Sequence, residues 1–169
     1  MTDNSLNATS LSHPGAAHPI TEAEASGVQD AIDRALRAQQ TSGKSGIAAT
    51  LLRNGQVIAT GENEVHLQND PTRHAEMVVI GRGAETLGHS DLAGCVLIST
   101  LQPCEMCLAA MRFAGIDRVI FAARQENVAD KYFAFPQLRL LELISINDMT
   151  AIGGVGEDRV LPLYVSAAA

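Results

Sequence analysis

His74 stands thirty positions ahead of Cys104 and thirty-three ahead of Cys107, and the segment between them holds the apolar run Cys95-Val96-Leu97-Ile98. Any fold that uses these three side chains together has to carry a buried strand between two helix starts and return both starts to one point. Zinc takes nitrogen and sulfur ligands in a tetrahedral shell, and catalytic sites commonly use three protein ligands with the fourth position open. Cys104 and Cys107, three apart, project from one helical face once the chain turns into a helix after Pro103, and proline suits a helix's first turn. Glu76 lies two positions after His74, close enough to hydrogen-bond a water on the metal without being a ligand.

An open zinc position lowers the pKa of bound water from about 15.7 to roughly 7. Glu76 would then be placed to take a proton from that water and pass it on. Two blander readings compete: a redox pair of cysteines, and half of a structural zinc knot. A structural site is normally closed by four protein ligands. The one remaining cysteine, Cys95, belongs to the apolar strand.

The rest of the chain alternates helices and strands. Thr21 with Glu24 three residues on forms a capping box, and Val28, Ile32, Ala35 and Leu36 recur at helical spacing, so a helix runs from Thr21 to about Thr41. Gly43-Lys44-Ser45 lacks the preceding glycine and strand of a phosphate loop and reads as a linker. Asn54-Gly55 between Ile47–Arg53 and Gln56–Glu62 is a hairpin signal. Residues 73–87 form a helix with Met77, Ile80, Ala84 and Leu87 as its apolar stripe, weakened by Gly81 and Gly83. Cys95–Thr100 is a strand, Cys104–Ala114 a helix, and Arg118–Ala122 a strand. Leu138–Ile144 is a buried helix or strand, Gly153-Gly154 a turn, and Leu161–Tyr164 a closing tail that periodicity does not place. Such alternation implies a layered α/β domain. Residues 1–19, without periodicity, read as a flexible arm ahead of one domain over 20–169.

Asp130-Lys131-Tyr132-Phe133-Ala134-Phe135-Pro136 concentrates aromatic residues in a chain that is 4% aromatic. Planar heterocycles are held by stacking on such side chains, so this segment is the candidate lid, with Asp130, Tyr132 and Phe133 as candidate substrate contacts. Aromatic residues pack cores and subunit contacts equally well.

Asn63, Asn69-Asp70-Pro71-Thr72, His74-Ala75-Glu76 and Thr100-Leu101-Gln102-Pro103-Cys104-Glu105-Met106-Cys107-Leu108-Ala109-Ala110-Met111 resemble the cytidine deaminase superfamily. The branch they resemble most contains guanine deaminases, fungal cytosine deaminase and tRNA adenosine deaminases. The likeness covers residues 21 to about 125. It implies a three-layer α/β/α fold around a mixed sheet, bound Zn2+, and ammonia release from an amino-heterocycle. It also implies that Asn63 hydrogen-bonds the substrate ring, that the Ala75 N–H faces the oxygen on zinc, and that the Gln102 carbonyl meets the leaving amine. Relatives often carry glutamate or serine in place of Gln102, and Arg73 replaces a usually apolar residue.

A net charge of −7 and the lack of any Lys/Arg cluster argue against a nucleic-acid partner, since neutralising phosphates drives that binding. No apolar run approaches the roughly 18 residues that span a bilayer, and the start has no signal-peptide pattern, so the expectation is a cytoplasmic protein away from membranes. The expected function is deamination of a free nucleobase or related small amino-heterocycle by a homodimer, as is usual in the branch resembled. The competing readings are a tRNA adenosine deaminase, a zinc-stabilised binding module without turnover, and a disulfide oxidoreductase.

Overall fold

The computed structural model describes residues 9–10, 18–43, 46–136, 138–144 and 149–165. Thr9–Ser10, within the stretch expected to be an arm, forms a two-residue edge strand, β1. The remainder of that stretch up to residue 17 lies outside the described residues, as do Lys44 and Ser45 of the linker.

Helix α1 (Glu22–Ser42) begins where its capping box puts it. Thr21 Oγ1 accepts the Glu24 N–H at 3.2 Å, and Glu24 Oε2 accepts the Thr21 N–H at 2.8 Å. It stops at Gly43, which takes the left-handed conformation (φ 70°) that ends helices. Strands β2 (Ala48–Arg53) and β3 (Gln56–Glu62) are joined by Asn54 (φ 51°) and Gly55 (φ 74°), a two-residue turn with both central residues left-handed.

A short helix, α2 (Val65–Gln68), precedes α3 (Ala75–Leu87); then come β4 (Cys95–Leu101), α4 (Glu105–Phe113), β5 (Arg118–Ala123), α5 (Leu140–Ile144), β6 (Thr150–Gly153) and α6 (Glu157–Tyr164). The sheet order is β1-β6-β5-β4-β2-β3. β4, β5 and β6 run parallel, and the other pairings are antiparallel. Parallel neighbours need a crossover, and α4 supplies the one between β4 and β5.

Side chains alternate across the sheet and divide the core in two. Leu51, Leu97, Val119, Phe121 and Ala151 pack with α3, α4 and α5, whereas Leu52, Ile98, Ile120, Ala122 and Ile152 pack with α1 and α6. The result is the three-layer α/β/α arrangement around a mixed sheet. No described helix is long and apolar enough to cross a membrane.

One sequence expectation needs correction. The buried face of α3 is Ala75, Glu76, Val78, Val79 and Gly83, while Met77, Ile80, Ala84 and Leu87 are half-buried at its rim. Close approach decides this. A Cβ on Gly83 would come within 2.4 Å of Leu51 Cδ2, and one on Gly61 of β3 within 2.7 Å of Val78 Cγ1. Hydropathy ranks large side chains first, but the small ones let helix and sheet touch.

The closing tail is a helix, and Tyr164 at its end is fully buried. Its hydroxyl donates to the Gly46 carbonyl at 2.7 Å and is 2.9 Å from Thr100 Oγ1. The helix had been obscured by Pro162, which lies inside it.

Candidate active site

His74 and Cys104 occupy equivalent places: each is the residue on which a helix starts, in extended conformation, with no side-chain capping bond. Neither imidazole nor thiol is therefore spent on the helix end. β4 finishes at Leu101, and Gln102-Pro103 carry the chain onto α4, which packs against α3. The two helix starts converge, and Cys107, one turn into α4, completes the cluster.

Cys104 Sγ lies 3.5 Å from His74 Nδ1 and 3.7 Å from Cys107 Sγ, and Cys107 Sγ lies 3.7 Å from His74 Nδ1. Tetrahedral zinc with ordinary Zn–S and Zn–N bonds needs edges of about 3.8 Å between sulfurs and about 3.6 Å from sulfur to nitrogen. The three donors fit that ion as they stand. His74, Cys104 and Cys107 are also the one group of potential metal ligands that converges among the described residues.

The cluster is electrostatically coupled. A hydrogen bond from Cys107, reinforced by His74, pulls the Cys104 thiol down to about 4 against the cost of burial. Cys107 is pushed up by that same hydrogen bond, by burial and by the nearby Glu76. His74 is raised by its hydrogen bond to Cys104. These shifts favour a Cys104 thiolate paired with a protonated His74, the shared protons lying where a soft cation would bind.

Glu76, the second residue of α3, is buried beside this cluster, its Oε2 3.6 Å from Cys107 Sγ. Burial pushes its carboxyl upward, and a hydrogen bond from Ser99 Oγ to Oε1 at 2.8 Å partly opposes the rise. Ser99 was not anticipated from sequence. Its signal was a hydroxyl, one of two with Thr100, at the end of a largely apolar strand packed against the His-x-Glu helix.

An open cleft of about 590 Å³ lies over the cluster, lined by Pro71, His74, Cys104, Glu105, Met106 and residues 131–135. The aromatic segment does sit at this mouth. Tyr132 is half-buried and packs edge-on against Tyr164 with centroids 5.6 Å apart, and Phe133 is buried against Cys104 and Cys107. Asp130 is exposed and outside the cleft lining.

Three other expected contacts are not among the residues lining the cleft. Ala75 is fully buried at the start of α3. Asn63 is exposed, and its Oδ1 accepts the Val65 N–H at 3.1 Å, a local turn bond. The Gln102 side chain points elsewhere: its Oε1 accepts the Gln125 N–H at 3.1 Å and its Nε2 donates to Gln125 Oε1 at 3.2 Å. Gln125 Nε2 in turn donates to the Pro136 carbonyl at 3.2 Å, so this pair of glutamines holds the far end of the aromatic segment.

Comparison with known proteins bears on this arrangement. The family model for the cytidine and deoxycytidylate deaminase zinc-binding region matches residues 21–123. A guanine deaminase of Bacillus subtilis (strain 168) is 38% identical over 85 residues, covering 50% of this chain and 54% of its own length. A tRNA-specific adenosine deaminase of Agrobacterium fabrum is 45% identical over 78 residues, covering 46% of this chain and 51% of its own. The chain thus spans about half the length of these curated relatives. Among solved structures, guanine deaminase from Nitrosomonas europaea superposes with a TM-score of 0.72 over 86% of this chain and 84% of its own, at 21% identity, a likeness of fold.

Proposed function

Because the chain belongs to the cytidine and deoxycytidylate deaminase zinc-binding family, we propose that it is a hydrolytic deaminase releasing ammonia from a free nucleobase or a related small amino-heterocycle. One observation carries the reading: a buried carboxylate, Glu76, stands beside the three ligands without belonging to them. A structural zinc site has no use for such a group.

Zinc held by His74, Cys104 and Cys107 would supply a Lewis acid and lower the pKa of water at the site. The chain's own residues do the rest. Glu76, its carboxyl raised by burial, takes a proton from the attacking water and delivers it to a ring nitrogen. A C–O bond forms at the amino-bearing carbon. A second proton passes through Glu76 to the amine, the C–N bond breaks, and ammonia leaves an oxo-heterocycle. Ser99 holds one carboxylate oxygen, which leaves Oε2 on the metal side to exchange protons. Tyr132 and Phe133 flank the ring, and the main chain of Ala75 and Gln102, with Asn63, orients it.

A second reading has support of its own. The tRNA-specific adenosine deaminase of A. fabrum is as similar to this chain as the guanine deaminase is, so the relatives lend no weight to excluding nucleic acid. Acidity of the chain, with a net charge of −7, favours the small substrate.

Ammonia release by zinc-loaded protein from guanine, cytosine, adenine, their nucleosides and an anticodon stem-loop tests both readings, with Glu76→Ala as control. Turnover of a free base, lost in the variant, supports the main reading; turnover of the stem-loop alone replaces it with the second. Light scattering on the same preparation tests the homodimer.

A further inference from the structure

Glu105 follows the first cysteine ligand and is the one carboxylate among the residues lining the cleft. Its Oε1 accepts the Phe135 N–H at 3.0 Å, which pins the aromatic segment to the start of α4. Its Oε2 is buried and has no hydrogen-bond partner among the described residues. A carboxylate oxygen shut away from water without a donor is costly, and native structures seldom carry one without a reason. The basic group on the same cleft wall, Lys131, lies over the Tyr132 ring at 5.4 Å from its centroid.

We propose that Glu105 is the specificity-determining residue of the site: its Oε2 accepts an N–H from the ring bound in the cleft. The inference rests on the deaminase reading and deepens it. A carboxylate offers only acceptors, so it selects rings presenting a hydrogen on nitrogen and disfavours the same rings alkylated there. Free bases carry such a hydrogen at the nitrogen that bears the sugar in nucleosides. Glu105 therefore turns the site toward free bases, and it does so through binding, because it takes no part in the proton transfers assigned to Glu76.

The discriminating variant is Glu105→Gln. Glutamine keeps a carbonyl oxygen to accept the Phe135 N–H, so the segment stays pinned, while the buried acceptor becomes an amide donor. Steady-state kinetics of wild type and variant are compared on whichever of guanine or cytosine the wild type turns over, and on its ring-N-methyl derivatives (1-, 7- and 9-methylguanine, or 1-methylcytosine). The expected result is a KM raised about ten- to hundredfold in the variant for the parent base, with kcat changed less than about threefold. For one methyl derivative the wild type already shows the raised KM, and the variant adds little to it.

An equal KM increase for the parent and every derivative would mark a structural role and overturn the proposal, as would no increase. If the variant fails to fold, the wild-type series decides alone: one methylation must raise KM by about tenfold, and uniform KM values across the series overturn the proposal. Wild-type protein that keeps its zinc but releases ammonia from no base overturns the deaminase reading, and this inference falls with it.

Discussion

Ser99 Oγ sits 2.8 Å from Glu76 Oε1, and both side chains are buried between β4 and the start of α3. The strand thereby holds the rotamer of the carboxylate proposed to carry protons. Ser99→Ala removes that hold without touching a metal ligand. It should lower kcat by about tenfold or more while zinc content stays at one per chain, which metal analysis and steady-state kinetics check together.

Replacement of Cys107 by alanine should be harsher. Its sulfur lies 3.7 Å from both other ligands, and the residue is completely buried. Two remaining ligands hold zinc poorly, so metal content by mass spectrometry should fall to background and ammonia release with it. A metallated, active variant would remove Cys107 from the ligand set.

Stability should decline in acid for a reason visible at α1. Arg118 Nε reaches Glu24 Oε1 at 2.7 Å, and Arg124 Nη2 reaches Glu157 Oε2 at 2.7 Å. Burial alone would raise both carboxyls, but the hydrogen bonds and charges of their partners outweigh it and hold them below the ordinary value of 4.5. A lowered folded-state pKa means the unfolded chain binds protons first as pH falls. The stabilisation is complete above about pH 4.5 and disappears as pH drops through the folded values. Arg118→Met should cost about 1 to 3 kcal/mol at pH 7, less than for a fully buried pair, and flatten the acid limb of a plot of Tm against pH.

Two glycines of α3 should respond oppositely to alanine. At Gly81 a Cβ meets nothing within 4 Å, so Gly81→Ala should add about 0.5 to 1 kcal/mol through helix propensity. At Gly83 the added carbon would press on Leu51 Cδ2, whose side chain is fully buried and has no solvent to move into. Gly83→Ala should cost about 1 to 3 kcal/mol, and urea melts of the pair check the contrast.

Tyr164→Phe leaves the ring in place and deletes a hydroxyl bonded to Gly46 and Thr100. The two abandoned buried groups should cost about 1 to 3 kcal/mol in a denaturant melt. The phenylalanine ring keeps the edge-on contact with Tyr132, so KM should be unchanged.

Residue type and spacing alone announced the candidate ligands His74, Cys104 and Cys107, the carboxylate of Glu76 beside them, the Asn54-Gly55 hairpin and the Thr21–Glu24 capping box. The hairpin, the capping box and the pairs His74/Glu76 and Cys104/Cys107 are local matters, settled by residues a few positions apart, whereas the meeting of the two pairs across thirty positions belongs to the fold. What the tertiary structure decided involves residues that meet only after distant segments pack. Ser99 reaches Glu76 across 23 positions, Glu105 reaches Phe135 across 30, and Tyr164 reaches Gly46 across 118. The buried face of α3 belongs with these, because small residues gain their place from the strand that lies against them. Periodicity counts hydrophobic side chains along one segment, whereas burial depends on the shape of the neighbour.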